Sequence, residues 1–221
     1  MLTVHHLNLS RSTRVLWMLE ELGLPYEIVG YQRGADYLAP PGLKRIHPLG
    51  KSPVLTDGDQ TLAESGAILE YLAERYGAGK LVPAEGTPER LRYRYWLHYA
   101  EGSLMPLMVM KLIVGRIPKA PMPFFARPIA RGIAKGVETG YLGPNLKTHL
   151  AFVESELGSR PYFAGNEFTA ADIQMSFPLE AAQSRAGADA QSTPHIAAFV
   201  EKIHARPAYQ RAVEKGGPTS R

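Results

Sequence analysis

Apolar and polar positions change period several times within the first eighty residues. Leu2 to Leu7 reads as a short strand. After the polar turn 8–13, Val15, Met18, Leu19 and Leu22 recur at spacings of three and four, the period of one helix face, and Gly23 followed by Pro25 stops that helix. Tyr26 to Tyr31 predicts a second strand. The polar, Pro-containing stretch 32–50 predicts a connection with a short helix. Pro53 to Thr56 and Thr61 to Ala63 predict a hairpin around Asp57-Gly58, residue types suited to a tight turn, and Ile68, Tyr71 and Leu72 mark one face of a helix opened by Glu64-Ser65-Gly66. The predicted order β-α-β-(α)-β-β-α calls for a mixed sheet with helices packed on it.

Beyond residue 77 the pattern changes once more. The stretch 77–88 is rich in Gly and Pro without periodicity, and after it no strand-like alternation persists. Helices are predicted over 89–112, within 124–157, over 170–182 and over 195–213. The expected organisation is an α/β domain over 1–80, a linker at 81–88 and an all-helical domain over 89–221. Within the second domain Phe168-Thr169-Ala170-Ala171-Asp172-Ile173 is a strong helix start. Thr169 fits an N-cap, Asp172 returns the bond to the N-cap amide, and Phe168 with Ile173 has the spacing of a hydrophobic staple. Asp172 is therefore read as a folding residue rather than a catalytic acid.

Composition narrows the chemistry. The 221 residues include no cysteine, which excludes disulfides, cysteine-ligated metals and a cysteine nucleophile of the chain's own. Any thiol chemistry needs a borrowed sulfur. The net charge of +4 is modest, and its densest local group, Arg127, Arg131 and Lys135, lies at helical spacing, so it reads as a solvated face and not as a nucleic-acid stripe. No stretch is long and apolar enough to span a membrane, and the first residues lack a secretion pattern. A cytoplasmic protein without membrane or nucleic-acid partners is expected. His5 and His6 lack a third ligand at suitable spacing, so they read as strand residues and no metal is expected.

Two places concentrate polar chemistry. Ser52-Pro53 puts a proline at a strand start, where a cis bond leaves the preceding backbone facing outward, able to pair with a peptide. Glu64-Ser65-Gly66 puts a carboxylate, a hydroxyl and free amides at a helix N-terminus. That set suits both charges of an α-amino-acid head group, and equally suits plain capping. The turn before the first helix supplies Ser10, Arg11, Ser12 and Thr13, with Ser10 or Ser12 also a candidate N-cap.

Taken in order and spacing, Ser52-Pro53, Glu64-Ser65, the Gly/Pro linker, the helical second half and the capping motif resemble the glutathione transferase superfamily over essentially the whole chain. The segments His5-His6-Leu7 through Glu20-Glu21-Leu22-Gly23 and His47 through Pro53 look most like its serine-type microbial, theta-like branch. The resemblance implies a thioredoxin-like first domain and a helical-bundle second domain, usually as a homodimer, with glutathione as co-substrate and no other cofactor. It implies that the γ-glutamyl group lies on Glu64 and Ser65, the cysteinyl group on the Ser52 backbone beside a cis Pro53, and the glycyl carboxylate by Lys51. The catalytic hydroxyl comes from the turn, where Ser10, four residues before Arg14, is favoured over Ser12, and Arg11 assists as a cation. A hydrophobic electrophile is expected against Tyr95, Tyr99 and Met105, with Met108 and Met110 nearby, although such a stripe also suits core packing. The expected activity is attack of the thiolate on such electrophiles, with reduction of peroxides or mixed disulfides as a further use. A non-catalytic binding module on the same fold is the alternative.

Overall fold

A computed structural model describes residues 1–34 and 38–217. The chain forms β1 (Leu2–Leu7), α1 (Ser12–Leu22), β2 (Tyr26–Tyr31), β3 (Val54–Asp57), β4 (Gln60–Ala63) and α2 (Ser65–Tyr76). These are followed by α3 (Pro88–Tyr99), α4 (Met105–Arg116), α5 (Arg127–Val137), α6 (Gly143–Ser159), α7 (Ala170–Arg185), α8 (Pro194–His204) and α9 (Pro207–Gly216). A mixed sheet with helices and an all-helical second half are the fold class expected. Of the connection 32–50, residues 35–37 lie outside the described residues, and the expected short helix is a 3-10 turn at Pro41–Arg45.

The sheet order is β2-β1-β3-β4, with β1 parallel to β2 and antiparallel to β3. A parallel pair needs a crossover, and α1 supplies it. Gly23 ends α1 in the left-handed region at φ +66°, and the Leu24 N–H returns to the Leu19 carbonyl at 3.1 Å. In the hairpin Asp57 pairs with Gln60, so the turn is Gly58-Asp59, one residue beyond the expected pair. Leu2, Val4 and Leu55 of the sheet pack with Val15, Met18 and Leu19 of α1 and Ile68, Leu69 and Leu72 of α2, all buried in one core.

In the second half, Thr87 accepts the Arg90 N–H at 3.2 Å and Pro88 opens α3. α3 runs on through a π-helical turn, Ala100–Leu104, into α4. A second π turn, Glu138–Leu142, joins α5 to α6. The segment expected as one helix over 195–213 is two, because Pro207 cannot continue α8 and holds Arg206 in extended backbone (ψ 130°).

The capping motif forms as the residue types require. Asp172 is fully buried and accepts the Thr169 N–H at 2.7 Å and the Phe163 N–H at 2.9 Å. Burial pushes its carboxyl up to about 6, against the downward pull of those bonds. Phe168 sits 5.6 Å from the Trp17 ring, and Trp17 meets Tyr209 edge-on at 5.1 Å, so the motif and α9 both clamp the outer face of α1. Arg206 adds a two-pronged ion pair to Glu21, and Arg211 and Lys215 pair with Glu20. Among the described residues no helix is long and apolar enough to cross a membrane.

Candidate functional site

The turn between β1 and α1 is tied down from behind. Arg33 donates its backbone N–H to Asn8 Oδ1 at 2.8 Å and its guanidinium to the Asn8 and Leu9 carbonyls, while Leu9 takes a left-handed φ of +50°. This fixes Ser10 and Ser12 with both hydroxyls buried and 2.8 Å apart. Ser10 Oγ accepts the Ser12 N–H at 3.2 Å, so Ser10 satisfies a free amide at the helix start and also lies 3.4 Å from Ser52 Oγ. Ser12 points away from the opening, with its oxygen 2.9 Å from His6 Nδ1 and 3.2 Å from the Leu7 N–H. Of the two candidate hydroxyls, only Ser10 touches Ser52.

Ser52-Pro53 is cis, as expected, and the Ser52 hydroxyl donates to the His5 carbonyl at 3.3 Å. The next wall comes from the start of α2. Glu64, just before the helix, holds φ +71°, an uncommon conformation for a side chain with a Cβ, of the kind that persists where surroundings force it. Ser65 Oγ receives two donors, Arg14 Nη1 and Gln174 Nε2, each at 3.1 Å. A hydroxyl oxygen accepts two bonds, so the Ser65 proton is left to donate to a guest.

Arg14 is almost wholly buried. Its Nη1 also donates to Glu101 at 2.7 Å, and Arg11 Nε donates to both oxygens of the same carboxylate at 2.9 and 3.0 Å. Burial lowers the Arg14 guanidinium to about 10 while Glu101 opposes that shift, so Arg14 stays charged at neutral pH. Burial pushes the Glu101 carboxyl up, yet Arg14 and Arg11 outweigh it and hold the group below its ordinary value. Both guanidiniums lie over the Phe177 ring at 5.2 and 5.1 Å. The site thus joins β1, α1 and α2 to the π turn after α3 and to α7.

An opening of about 210 Å³ results, lined by Arg11, Lys51, Ser52, Pro53, Glu64, Ser65 and Glu101 together with His47, Leu49 and Ala63. Two larger hollows of about 720 and 730 Å³ lie elsewhere, one beside the linker and one between α6 and the start of α8; Ser10, Ser12, Ser52, Ser65, Lys51 and Glu64 line neither. His5 and His6 turn their rings to Tyr31 and to Gly216 and Ser12 respectively.

The family model described as glutathione S-transferase, N-terminal domain, matches residues 2–74, and that described as glutathione S-transferase, C-terminal domain, matches 125–207. Glutathione S-transferase 3 of Schizosaccharomyces pombe is 41% identical over 97% of this chain and 88% of its own. This chain belongs to the glutathione S-transferase family. Glutathione S-transferase 1 of Saccharomyces cerevisiae is 36% identical over 96% of this chain and 94% of its own. Among solved structures, a glutathione S-transferase of Actinobacillus pleuropneumoniae superposes with a TM-score of 0.81 at 35% identity, covering 98% of this chain and 93% of that one. The chain is therefore a glutathione transferase enzyme with a thioredoxin-like first domain and a helical second one, on the microbial side of the family.

Within this transferase the expected electrophile stripe is not brought to the opening. Tyr95 and Tyr99 stack on one another at 5.6 Å and face α6, where Tyr99 bonds His149 at 2.6 Å and Tyr95 meets Phe152. Met105 is buried in the core. A plain 3.6-residue period joins these residues into one stripe, but Glu101, only two positions after Tyr99, faces the opposite side, and the π turn resets the face of α4. Sequence reasoning missed Glu101 and Gln174 and treated Arg14 only as a landmark. A buried-site arginine four residues after Ser10 was the available signal; nothing local marks the other two.

Proposed function

We propose that the transferase holds glutathione in the opening between Lys51, Ser52, Glu64 and Ser65 and ionises its thiol against Ser10. The observation that carries this reading is the occupied acceptor side of Ser65. With Arg14 and Gln174 both donating to it, its proton is directed outward to the γ-glutamyl carboxylate, and Glu64 takes the ammonium. The Ser52 backbone pairs with the cysteinyl unit, Lys51 meets the glycyl carboxylate, and Arg11 adds positive potential. A sphingomonad glutathione S-transferase complexed with glutathione, 27% identical with a TM-score of 0.73 over 97% of this chain and 98% of that one, supports glutathione as the ligand.

Ser10 is the hydroxyl that faces the sulfur, and Ser12 supports it. A free thiol near pKa 8.5 is only a few per cent ionised at neutral pH. A hydrogen bond to a charged sulfur contributes about 1.5–3 kcal/mol and the α1 N-terminus about 0.3–1 more, enough to lower that pKa by roughly one to three units. Thiolate is the attacking form.

The electrophile is a small hydrophobic molecule. We assign to it the exposed apolar row Val109 (38%) and Ile113 (57%), one turn apart on α4, the helix that follows the π turn carrying Glu101. Reduction of peroxides or mixed disulfides follows from the same thiolate. No further cofactor is invoked. A glutathione-binding domain over 1–80, a linker at 81–88 and a helical domain from 89 onward describe the division of labour, and the setting is cytoplasmic. Leu91 (71%) and Tyr95 (48%), one turn apart on α3 and beside Phe152, form an apolar row that supports a homodimer, which sedimentation tests.

The deciding experiment is the ultraviolet thiolate absorbance of bound glutathione in wild type, Ser10→Ala and Ser12→Ala. Thiolate at neutral pH in wild type and its loss in Ser10→Ala are expected. No thiolate in wild type overturns the activation, and loss confined to Ser12→Ala transfers the role to Ser12. A panel of an aryl halide, an organic hydroperoxide and a glutathione mixed disulfide separates conjugation from reduction.

A further inference from the structure

A line of polar atoms runs inward from Ser10 and ends at the last turn of α9. Ser10 Oγ lies 2.8 Å from Ser12 Oγ, Ser12 Oγ lies 2.9 Å from His6 Nδ1, and His6 Nε2 lies 2.7 Å from the Gly216 carbonyl at the end of α9. Valence and distance together set the direction of the bonds. A carbonyl only accepts, so His6 Nε2 carries a proton, and in the neutral ring Nδ1 is then an acceptor. The Ser12 hydroxyl has two acceptors in reach, the Leu7 carbonyl at 3.2 Å and Nδ1 at 2.9 Å; Nδ1 is the nearer and takes its proton, while the oxygen receives the Leu7 N–H and the Ser10 hydroxyl. Ser52 directs its own proton to the His5 carbonyl, and its 3.4 Å separation from Ser10 is the longer one, so the Ser10 proton points to Ser12. At rest the chain reads Ser10 to Ser12 to His6.

That polarity is the one needed to carry a proton away from the opening. We propose that His6 receives the thiol proton of bound glutathione through Ser10 and Ser12. The S–H bond breaks and its proton passes to Ser10 Oγ; the original Ser10 proton passes to Ser12 Oγ; the original Ser12 proton passes to His6 Nδ1. Both serines end as hydroxyls, no electrons change hands, and a neutral thiol plus neutral imidazole become thiolate plus imidazolium. Every bond in the line is now reversed, which leaves the Ser10 O–H aimed at the anionic sulfur. Once the sulfur bonds to the electrophile and loses its charge, the proton moves back outward through Ser12 and Ser10 to the anionic centre that addition leaves on the electrophile, or, where a leaving group departs as its anion, to water in the opening.

The surroundings of His6 suit this role. Burial holds its imidazole below the ordinary value, so the ring starts neutral with Nδ1 open to a donor; burial works against the cation and the Gly216 carbonyl works for it. The carbonyl end of α9 is the negative end of that helix, which favours a cation forming beside it. Gly216 permits the close approach: a Cβ there would lie 2.5 Å from a Leu16 methyl and 3.0 and 3.2 Å from the His6 ring. Neighbouring His5 turns to the Tyr31 hydroxyl and takes no part, and the Arg11, Arg14 and Glu101 charges belong to the Ser65 side of the site. His6 is a positioning and proton-storing residue that acts through two serines and does not touch the substrate.

This inference rests on the reading that glutathione binds beside Ser10. It is tested on the full-length wild-type protein, ¹⁵N-labelled, by following the His6 ring nitrogens while adding glutathione or S-methylglutathione, which has no thiol proton. Conversion of His6 from the Nε2–H neutral form to imidazolium with glutathione alone is expected. Calorimetry in buffers of different ionisation enthalpy then counts protons: well under one released to buffer per thiolate in wild type, and about one in Ser12→Ala and His6→Gln. If thiolate absorbance appears while His6 stays neutral and the buffer takes the whole proton, the relay is overturned and the thiolate mechanism stands. If glutathione does not bind, the binding reading itself fails. The wild-type spectra decide the matter even if a variant does not fold.

Discussion

The two halves of the cleft are built on different physical principles. On the first-domain side the serines and arginines are tied to named partners: Ser10 with Ser12 and Ser52, Ser65 with Arg14 and Gln174, Arg11 with Glu101. On the helical side the proposed wall is the apolar, exposed row Val109 and Ile113, which offers area without direction. Directional bonds select one guest because a missing partner leaves a buried polar group unpaired, whereas an apolar wall discriminates weakly between guests of similar size. Under the proposed arrangement the transferase is strict about its thiol and permissive about what that thiol attacks. The helical domain also lends polar groups to the first-domain side, Glu101 to Arg11 and Arg14 and Gln174 to Ser65, while its buried Asp172 serves folding.

The contrast is open to attack at four points. Asp172→Ala removes the acceptor of two buried backbone amides, so unfolding should cost about 2–4 kcal/mol less while glutathione affinity of the folded protein is unchanged, as chemical denaturation and calorimetry would read. Because its folded carboxyl is raised to about 6 above an unfolded value near 3.8, the native state binds the extra proton. Stability from this group should rise as pH falls from about 6 toward 4, and Asp172→Asn should abolish that slope. Ser10→Ala should lower kcat/KM by roughly tenfold to a hundredfold, the equivalent of about 1.5–3 kcal/mol, with every electrophile alike. An effect that depended on the electrophile would move Ser10 to the other half of the cleft.

Smaller and more selective changes are expected from the apolar wall. Val109→Ala with Ile113→Ala should alter kcat/KM a few-fold, by about 1 kcal/mol, raising it for some electrophiles and lowering it for others while leaving KM for glutathione in place. A uniform loss would show that the wall is part of the glutathione half. The smallest effect belongs to the surface tether of α9. Burial raises the Glu20 carboxyl, but Lys215, Arg211 and Tyr26 override it and bring the group to about 2. A depressed carboxylate contributes above its unfolded value near 4.5 and loses that contribution as pH falls toward 2, so Lys215→Ala should soften acid unfolding in that window and cost at most about 0.5–1 kcal/mol at neutral pH.

How much of this was written locally in the chain follows the same division. Strands, helix faces and the capping motif rest on neighbours within a few positions, and those expectations match the structure to within a residue or two, from Leu2–Leu7 to Thr169 and Asp172. The break at Pro207 was equally local and was overlooked in a segment that looked periodic. The π turn after Tyr99 leaves no mark on a hydrophobic period, and its extra residue shifts the face that α4 presents relative to Tyr95 and Tyr99 on α3. Glu101, Gln174 and the His6–Gly216 bond span 87, 109 and 210 positions, and only the folded chain brings such partners together.

The meeting of His6 with Gly216 ties β1 to the last turn of α9 across 210 positions of chain. The proposed relay therefore depends on a helix that lines no part of the substrate opening. A change that lifts α9 off α1 takes the carbonyl from His6 Nε2, frees the ring to exchange tautomers and removes the fixed polarity of the serine pair, without altering a single residue of that opening.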